Sequence, residues 1–294
     1  MWSFSEILQK LLQDSVPPMQ KSFFRFFIGS ITLLIIAIAQ KDLKFKKIFV
    51  QNKFEFLFGG FIAYGLGNYI YFVGIENTKA NIGSAIYGSY PIFISIYSIF
   101  ILNERQNLKR RFIGYLIGLT SIFILVTNLQ FENLLASQFI FGNILVLIGS
   151  LIWSFFSVLG KRIKNKQKLF EQEEKEKISN IDLKWNLITM IFAFSFNLIF
   201  VFLMPEERIR FSDYPAISWI YLLLLGVFCT GIGTWLFFVG ITKIELSKGI
   251  SLAMLKPIWV MIFAFIILGE LPSIFLVICL PLILFAVFII TKND

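Results

Sequence analysis

The chain has no histidine among its 294 residues and only two cysteines, Cys229 and Cys279. Without imidazole there is no side chain that ordinarily titrates near neutral pH and no histidine metal ligand, and two cysteines inside apolar runs frame no disulfide scaffold. Acids are scarce, 18 Asp and Glu against 27 Lys and Arg, and no cluster of acid, thiol and base offers the inventory of an enzyme. Neither a cofactor nor a metal is expected. The net charge of +9 could suggest a nucleic-acid partner, yet the bases sit almost wholly in the connections between apolar runs, so none is expected.

What is abundant is apolar: 57% of residues are hydrophobic, 17% are aromatic, and mean hydropathy is +0.78, where a soluble domain is about 45–50% apolar. A lipid bilayer is the solvent such a chain requires. Runs of about 20 apolar residues, which cross ~30 Å of hydrocarbon as helix, predict spans near 20–40, 55–75, 80–102, 111–129, 139–161, 184–204, 216–241, 245–269 and 272–291, after a fragment near 2–16.

Part of this is written twice. Gly60, Gly65, Gly67, Phe72-Val73-Gly74-Ile75, Gly83, Pro91 and Glu104 recur as Gly226, Gly231, Gly233, Phe238-Val239-Gly240-Ile241, Gly249, Pro257 and Glu270 at a constant offset of 166 (257 minus 91). Such spacing marks a duplicated membrane domain. Counting the opening fragment as the first span, bases gather after the second (Lys41, Lys44, Lys46, Lys47, Lys53), the fourth (Arg105, Lys109, Arg110, Arg111) and the sixth (Lys161, Arg162, Lys164, Lys166, Lys168). Alternating spans put all three clusters on one side, cytoplasmic by the positive-inside rule. The matching connections of the second half carry Arg208 and Arg210 beside Glu206, Glu207 and Asp213, or, around Glu270, no base. Like pattern with opposite charge placement follows when each half has five spans, because an odd count inverts the second copy. Both termini are then cytoplasmic. The mixed-charge stretch 162–184 joins the halves as a solvated cytoplasmic loop, with a regulatory or partner-binding segment as the other reading.

Trp2-Ser3-Phe4 with Lys10 matches Trp153-Ser154-Phe155 with Lys161 at an offset of 151 (153 minus 2). In the second copy the apolar run from Phe141 to Ile152 precedes the tryptophan, whereas a single methionine does so in the first. The opening segment is too short to span. The first helix is therefore expected to be truncated, most simply by a start codon placed too late. It lacks the basic region, apolar region and cleavage site of a signal peptide.

Together, Pro18 with Arg25 opening the second span, the glycine-rich third span, Pro91 to Glu104 and its copy Pro257 to Glu270 resemble the EamA-like branch of the drug/metabolite transporter superfamily. The resemblance covers essentially the whole chain. It implies an all-α polytopic membrane protein of ten transmembrane helices, the first truncated, arranged as two inverted five-helix repeats over 1–130 and 139–294. It also implies export or exchange of small metabolites and a cavity lined by the helices that carry these motifs. Two departures are the short first helix and the lysine before the second-half proline.

Within the spans, Pro91 and Pro257 each delete a backbone hydrogen bond and are expected to kink their helices, either toward a cavity or for packing alone. Lys256 lies near mid-span, where a charge costs about 2.5–3.5 kcal/mol on insertion scales. It is expected to bind a carboxylate or phosphate of the cargo, or to form a structural ion pair. Glu6 and Arg25 lie at similar depth on neighbouring spans, eleven and eight residues from Pro17 (17 minus 6, 25 minus 17). They either pair with one another or leave Glu6 as a proton-coupling carboxylate. Glu104 and Glu270 end their spans as anchors. Cargo contacts are expected from Tyr64, Asn68, Tyr87 and Tyr90, with Tyr71, in the first copy, and from Trp153, Thr234, Trp235, Ser251 and Trp259, with Ser157 and Thr230, in the second. Helix contacts and a lipid-facing belt are the other readings of these side chains. The glycines of the third and eighth spans serve close helix packing, since no Lys-Ser/Thr follows to make a phosphate loop.

The expected function is a secondary transporter of small metabolites such as amino acids, working by alternating access in the cytoplasmic membrane as an exporter or exchanger. A non-transporting scaffold or receptor and an exporter of lipophilic cations are the alternatives. Proton coupling through Glu6 and facilitated exchange are both open, as is the oligomeric state.

Overall fold

The computed structural model describes residues 2–105, 107–129, 138–174, 180–204, 213–243 and 255–292. They are all-helical, and the bundle is built from α1 (Ser5–Leu11), α2 (Pro18–Ala39), α3 (Lys53–Glu76), α4 (Ala80–Ile101), α5 (Leu108–Thr127), α6 (Gln138–Glu174), α7 (Ile181–Leu203), α8 (Ala216–Gly240), α9 (Lys256–Leu268) and α10 (Ile274–Thr291). Among the described residues eight of these are long and apolar enough to cross a membrane, α1 and α9 being shorter. Their outer surface is apolar: Ile35, Phe100, Phe112, Phe202 and Ile266 are exposed, as lipid contact requires. Local chemistry sets the ends. Pro18 opens α2 where a backbone N–H has no helical partner to lose. Ser273 accepts the N–H of Leu276 at 3.1 Å to cap α10. Gly269 closes α9 at φ +67°, a left-handed conformation that glycine adopts without strain.

The linker differs from expectation. Instead of a loop from residue 162, α6 runs on to Glu174 without interruption. Its Lys, Gln and Glu residues are good helix formers, and neither glycine nor proline intervenes to stop it.

Inversion is visible in the packing of equivalent helices. α2 and α7, the second helix of each half, cross antiparallel: Asn197 donates to Ser22 at 2.8 Å, and further along Gly29 lies against Met190. α5 and α10 do likewise, Gly114 facing Ile290 and Gly118 facing Ala286. So do α4 and α9, with Glu270 at the start of α4 and Pro257 against Gly88. Each half also lends its third helix to the other's second. A Cβ at Gly60 would lie 2.3 Å from Phe192 on α7, and one at the equivalent Gly226 2.5 Å from Ile28 on α2. Glycine at both places lets backbones approach closely, the main source of helix affinity where lipid removes the hydrophobic drive.

The same pair of helices shares a second irregularity. Gly59–Leu66 in α3 and Leu225–Ile232 in α8 are π-helical, and their bounds differ by the repeat offset of 166 (225 minus 59). A wider turn changes which side chains the helix presents, and such segments concentrate at functional sites.

Connections sort onto two faces. On one, Lys161 pairs with Glu104, Lys166 donates to the carbonyl of Gln51, and Asn180 donates to Gln40 and Asp42. On the other, Ser15 meets Ser218 and Lys10 donates to the carbonyl of Glu76. The three basic clusters of the sequence thus belong to connections that meet on one face.

Candidate functional site

Seven helices converge on a small central cavity lined by Trp2 and Ser5 at α1, Arg25 and Phe26 of α2, Tyr64, Asn68 and Tyr71 of α3, Tyr87 of α4, Trp153 of α6, Thr230 and Thr234 of α8 and Lys256 of α9. Its room is about 30 Å³, the share of roughly one water molecule. The lining is built from repeat-related pairs. Tyr64 and Thr230 are equivalent (230 minus 64), as are Asn68 and Thr234, and Trp2 and Trp153 are the paired tryptophans of the two first helices. Each π-helical segment reaches across to the other half: Tyr64 donates to Asn186 on α7 at 3.1 Å, and Arg25 on α2 donates to Thr230 at 2.7 Å. Trp153 stacks on Tyr64 at 5.8 Å and meets Trp2 edge-on at 5.9 Å, which gives one wall three aromatic rings.

The charges choose different partners from those the sequence suggests. Glu6, fully buried, pairs with Lys256 at 2.6 Å, where Lys256 is 11% exposed, and accepts the hydroxyl of Tyr71 at 2.5 Å. Lys256 also lies 5.1 Å over the ring of Tyr87. Glu6 and Arg25 do not pair. Depth along the membrane brings them level, but α1 packs beside α9 whereas α2 turns its guanidinium toward α8. Arg25 lies near the faces of Phe26 and Phe72, 5.8 and 5.5 Å from their centroids, and its Nη1 is buried with no acceptor among the described residues.

The structure brings together six of the ten cargo-contact candidates, Lys256, Trp153, Asn68, Tyr64, Tyr87 and Thr234, and also Tyr71 and Thr230. It separates others. Trp259 is 50% exposed and stacks on Phe263 at the bundle surface, because α9 is apolar on every side and its sequence does not mark the inner face. Trp235 packs partly buried outside the lining. Tyr90 is buried beside the cavity, where its carbonyl accepts Ser154. Ser157 bonds back to the carbonyl of Trp153 within α6, and Ser251 lies outside the described residues. Of the remaining lining, Trp2 was legible as the copy of Trp153 and Arg25 as an intramembrane charge. Ser5 and Phe26 carried no signal.

Pro91 follows a break in its helix within the turn whose hydrogen bond a proline removes, and Pro257 opens the described part of α9. α4 stops at Tyr87 and resumes at Tyr90, so the break falls on Gly88 and Ser89, with Pro91 in the first turn of the second piece. Pro257 likewise sits in the first turn of α9, and the two positions touch: a Cβ at Gly88 would lie 2.4 Å from the Pro257 ring. Glu270 is more than a terminal anchor, because its carboxylate accepts the backbone N–H groups of Ala80 at 3.0 Å and Asn81 at 3.2 Å and so caps α4 from the other half.

Known proteins agree with this architecture. The EamA-like transporter family matches residues 1–127 and again 140–292. The uncharacterized transporter YoaV of Bacillus subtilis is 25% identical over 92% of this chain and 85% of its own length, and the uncharacterized transporter YyaM of the same organism is 23% identical over 84% and 76%. The uncharacterized inner membrane transporter YedA of Escherichia coli is 27% identical over 55% of this chain and 50% of its own. A crystal structure superposes over 97% of this chain and 93% of that one with a TM-score of 0.63 at 16% identity, a likeness of fold alone. With its family match repeated in both halves, this multi-pass membrane protein belongs to the EamA-like transporter family.

Proposed function

We propose that the chain is a secondary transporter that carries small metabolites, amino acids among them, across the cytoplasmic membrane by alternating access, as an exporter or exchanger. One observation carries this reading: repeat-related residues of two antiparallel halves, Tyr64 with Thr230 and Asn68 with Thr234, line one central cavity. A site on such a quasi-twofold axis has equivalent routes to either face, and rocking one half against the other exchanges them. The present room, about 30 Å³, must widen to admit a metabolite. The broken helix α4 and the start of α9, which meet at Gly88 and Pro257, are the elements to move. With the basic face inside by the positive-inside rule, both termini are cytoplasmic.

A lipophilic cation suits this cavity less well. It would meet Arg25 and Lys256 against the single carboxylate of Glu6. Counterflow in proteoliposomes tests the proposal: vesicles preloaded with a mixture of unlabelled metabolites should accumulate a labelled member of the set faster than empty ones. Thr234→Leu, which fills the cavity, should slow that exchange. Equal accumulation with and without preload, across amino acids and organic acids, would count against a carrier.

A further inference from the structure

Among the described residues the charges and hydrogen-bond donors that line the cavity do not balance. Arg25 and Lys256 line the cavity, while the one carboxylate among the described residues that pairs with either, Glu6, meets Lys256 and Tyr71 through Oε1 and keeps Oε2 buried away from Arg25. Lys256 is thereby neutralised and Arg25 is not. The guanidinium spends Nε on the neutral hydroxyl of Thr230, faces two phenyl rings that attract it without cancelling its charge, and keeps Nη1 buried with no acceptor. The indole N–H groups of Trp2 and Trp153, on the same lining, are likewise buried without an acceptor. A buried uncompensated cation surrounded by unused donors calls for a ligand that only accepts and carries one negative charge.

We infer that the cavity binds a small organic monoanion, its carboxylate on Arg25 and its apolar part against the rings of Trp2, Trp153 and Tyr64. The inference narrows the carrier reading, setting monoanions in place of the zwitterionic amino acids, and rests on it for the fate of the ligand, but the binding site follows from the cavity's own chemistry. A single carboxylate restores neutrality around Arg25, and its planar pair of oxygens matches the fork of a guanidinium. A zwitterion brings an ammonium group with its carboxylate and leaves the surplus in place, a dianion overshoots, and a cation adds to the repulsion. The three rings supply a wall for an apolar or aromatic body.

Three probes that share a phenyl ring separate these cases: benzoate, phenylalanine and phenethylamine, each titrated against the detergent-solubilised full chain by ligand-induced thermal stabilisation. Benzoate should bind more tightly than either other probe by about tenfold or more, the low end of what a hydrogen bond to a charged group contributes. Arg25→Gln should erase that preference, and Arg25→Lys, which keeps the charge but loses the fork, should retain part of it. Phenylalanine or phenethylamine binding as tightly as benzoate to the unaltered protein would overturn the inference, and this comparison needs no folded variant. So would benzoate affinity unchanged in Arg25→Gln. The outcome for transport is separable: vesicles that exchange an Arg25-independent cation or zwitterion would sink the monoanion and leave a carrier. Arg25-dependent benzoate binding with no exchange of any cargo would do the reverse.

Discussion

Glu6→Gln should destabilise the protein by about 3 kcal/mol, because it leaves Lys256 charged and unpaired inside the bundle. Two independent scales give that figure: about 2.5–3.5 kcal/mol for a lysine near the bilayer centre, and about 3–5 kcal/mol for breaking a buried ion pair by removing one partner. The geometry justifies using them. Glu6 is fully buried and Lys256 is 11% exposed, the two meet at 2.6 Å, and the described residues place no second acid on Lys256. Lys256→Met should cost a similar amount, since it strands the carboxylate with only the Tyr71 hydroxyl. The double variant removes both charges and should recover most of the loss, so the two changes should couple by at least about 2 kcal/mol. Unfolding in mixed micelles with increasing denaturing detergent, run on the four proteins of the cycle, measures this. Additive losses would refute the pairing and with it the assignment of Arg25 as the uncompensated charge.

Tyr71→Phe removes one hydrogen bond to the Glu6 carboxylate and should cost about 1.5–3 kcal/mol in the same unfolding assay, and less, about 0.5–1.5 kcal/mol, once Glu6 is Gln, whose amide oxygen is a neutral acceptor. Gly60→Ala and Gly226→Ala should each destabilise by about 1–3 kcal/mol, since the added methyl would lie 2.3 Å from Phe192 and 2.5 Å from Ile28. Gly240→Ala, whose new Cβ meets nothing within 4 Å among the described residues, should be neutral or slightly stabilising by thermal unfolding. Glu270→Gln weakens the cap on α4 and should cost about 0.5–2 kcal/mol, whereas Trp259→Ala at the lipid surface should leave ligand affinity unchanged in a titration where Trp153→Ala lowers it.

The plan of the fold was legible because its signals are one-dimensional. Apolar run length shows spans, a constant offset shows duplication, and the alternation of Lys and Arg among connections shows which copy is inverted. Depth could be counted too: Glu6, Arg25 and Lys256 were all placed inside the membrane from sequence distances, and Arg25 and Lys256 line the cavity with Glu6 paired to Lys256. Azimuth could not. On helices apolar all round there is no polar face to orient them, so Trp259 reads as well as Trp153 for the interior, and Arg25 reads as well as Lys256 for the partner of Glu6. Proline is the visible helix breaker, and the interruption in α4 falls on Gly88 and Ser89, in the turn before Pro91 whose hydrogen bond it removes. The π-helical segments follow from glycine-rich stretches whose sequence advertises close packing without revealing a widened turn.

Single-cysteine accessibility in intact cells, in a background without Cys229 and Cys279, tests the central claim most directly. An impermeant maleimide added outside should label Asp213→Cys and spare Lys44→Cys unless the membrane is opened, while Asn68→Cys in the cavity should be reachable from either face in turn and protected by bound cargo. Labelling of Lys44→Cys and Asp213→Cys from the same side, or of Asn68→Cys from one face alone under every loading condition, would contradict two inverted halves that alternately expose one shared site.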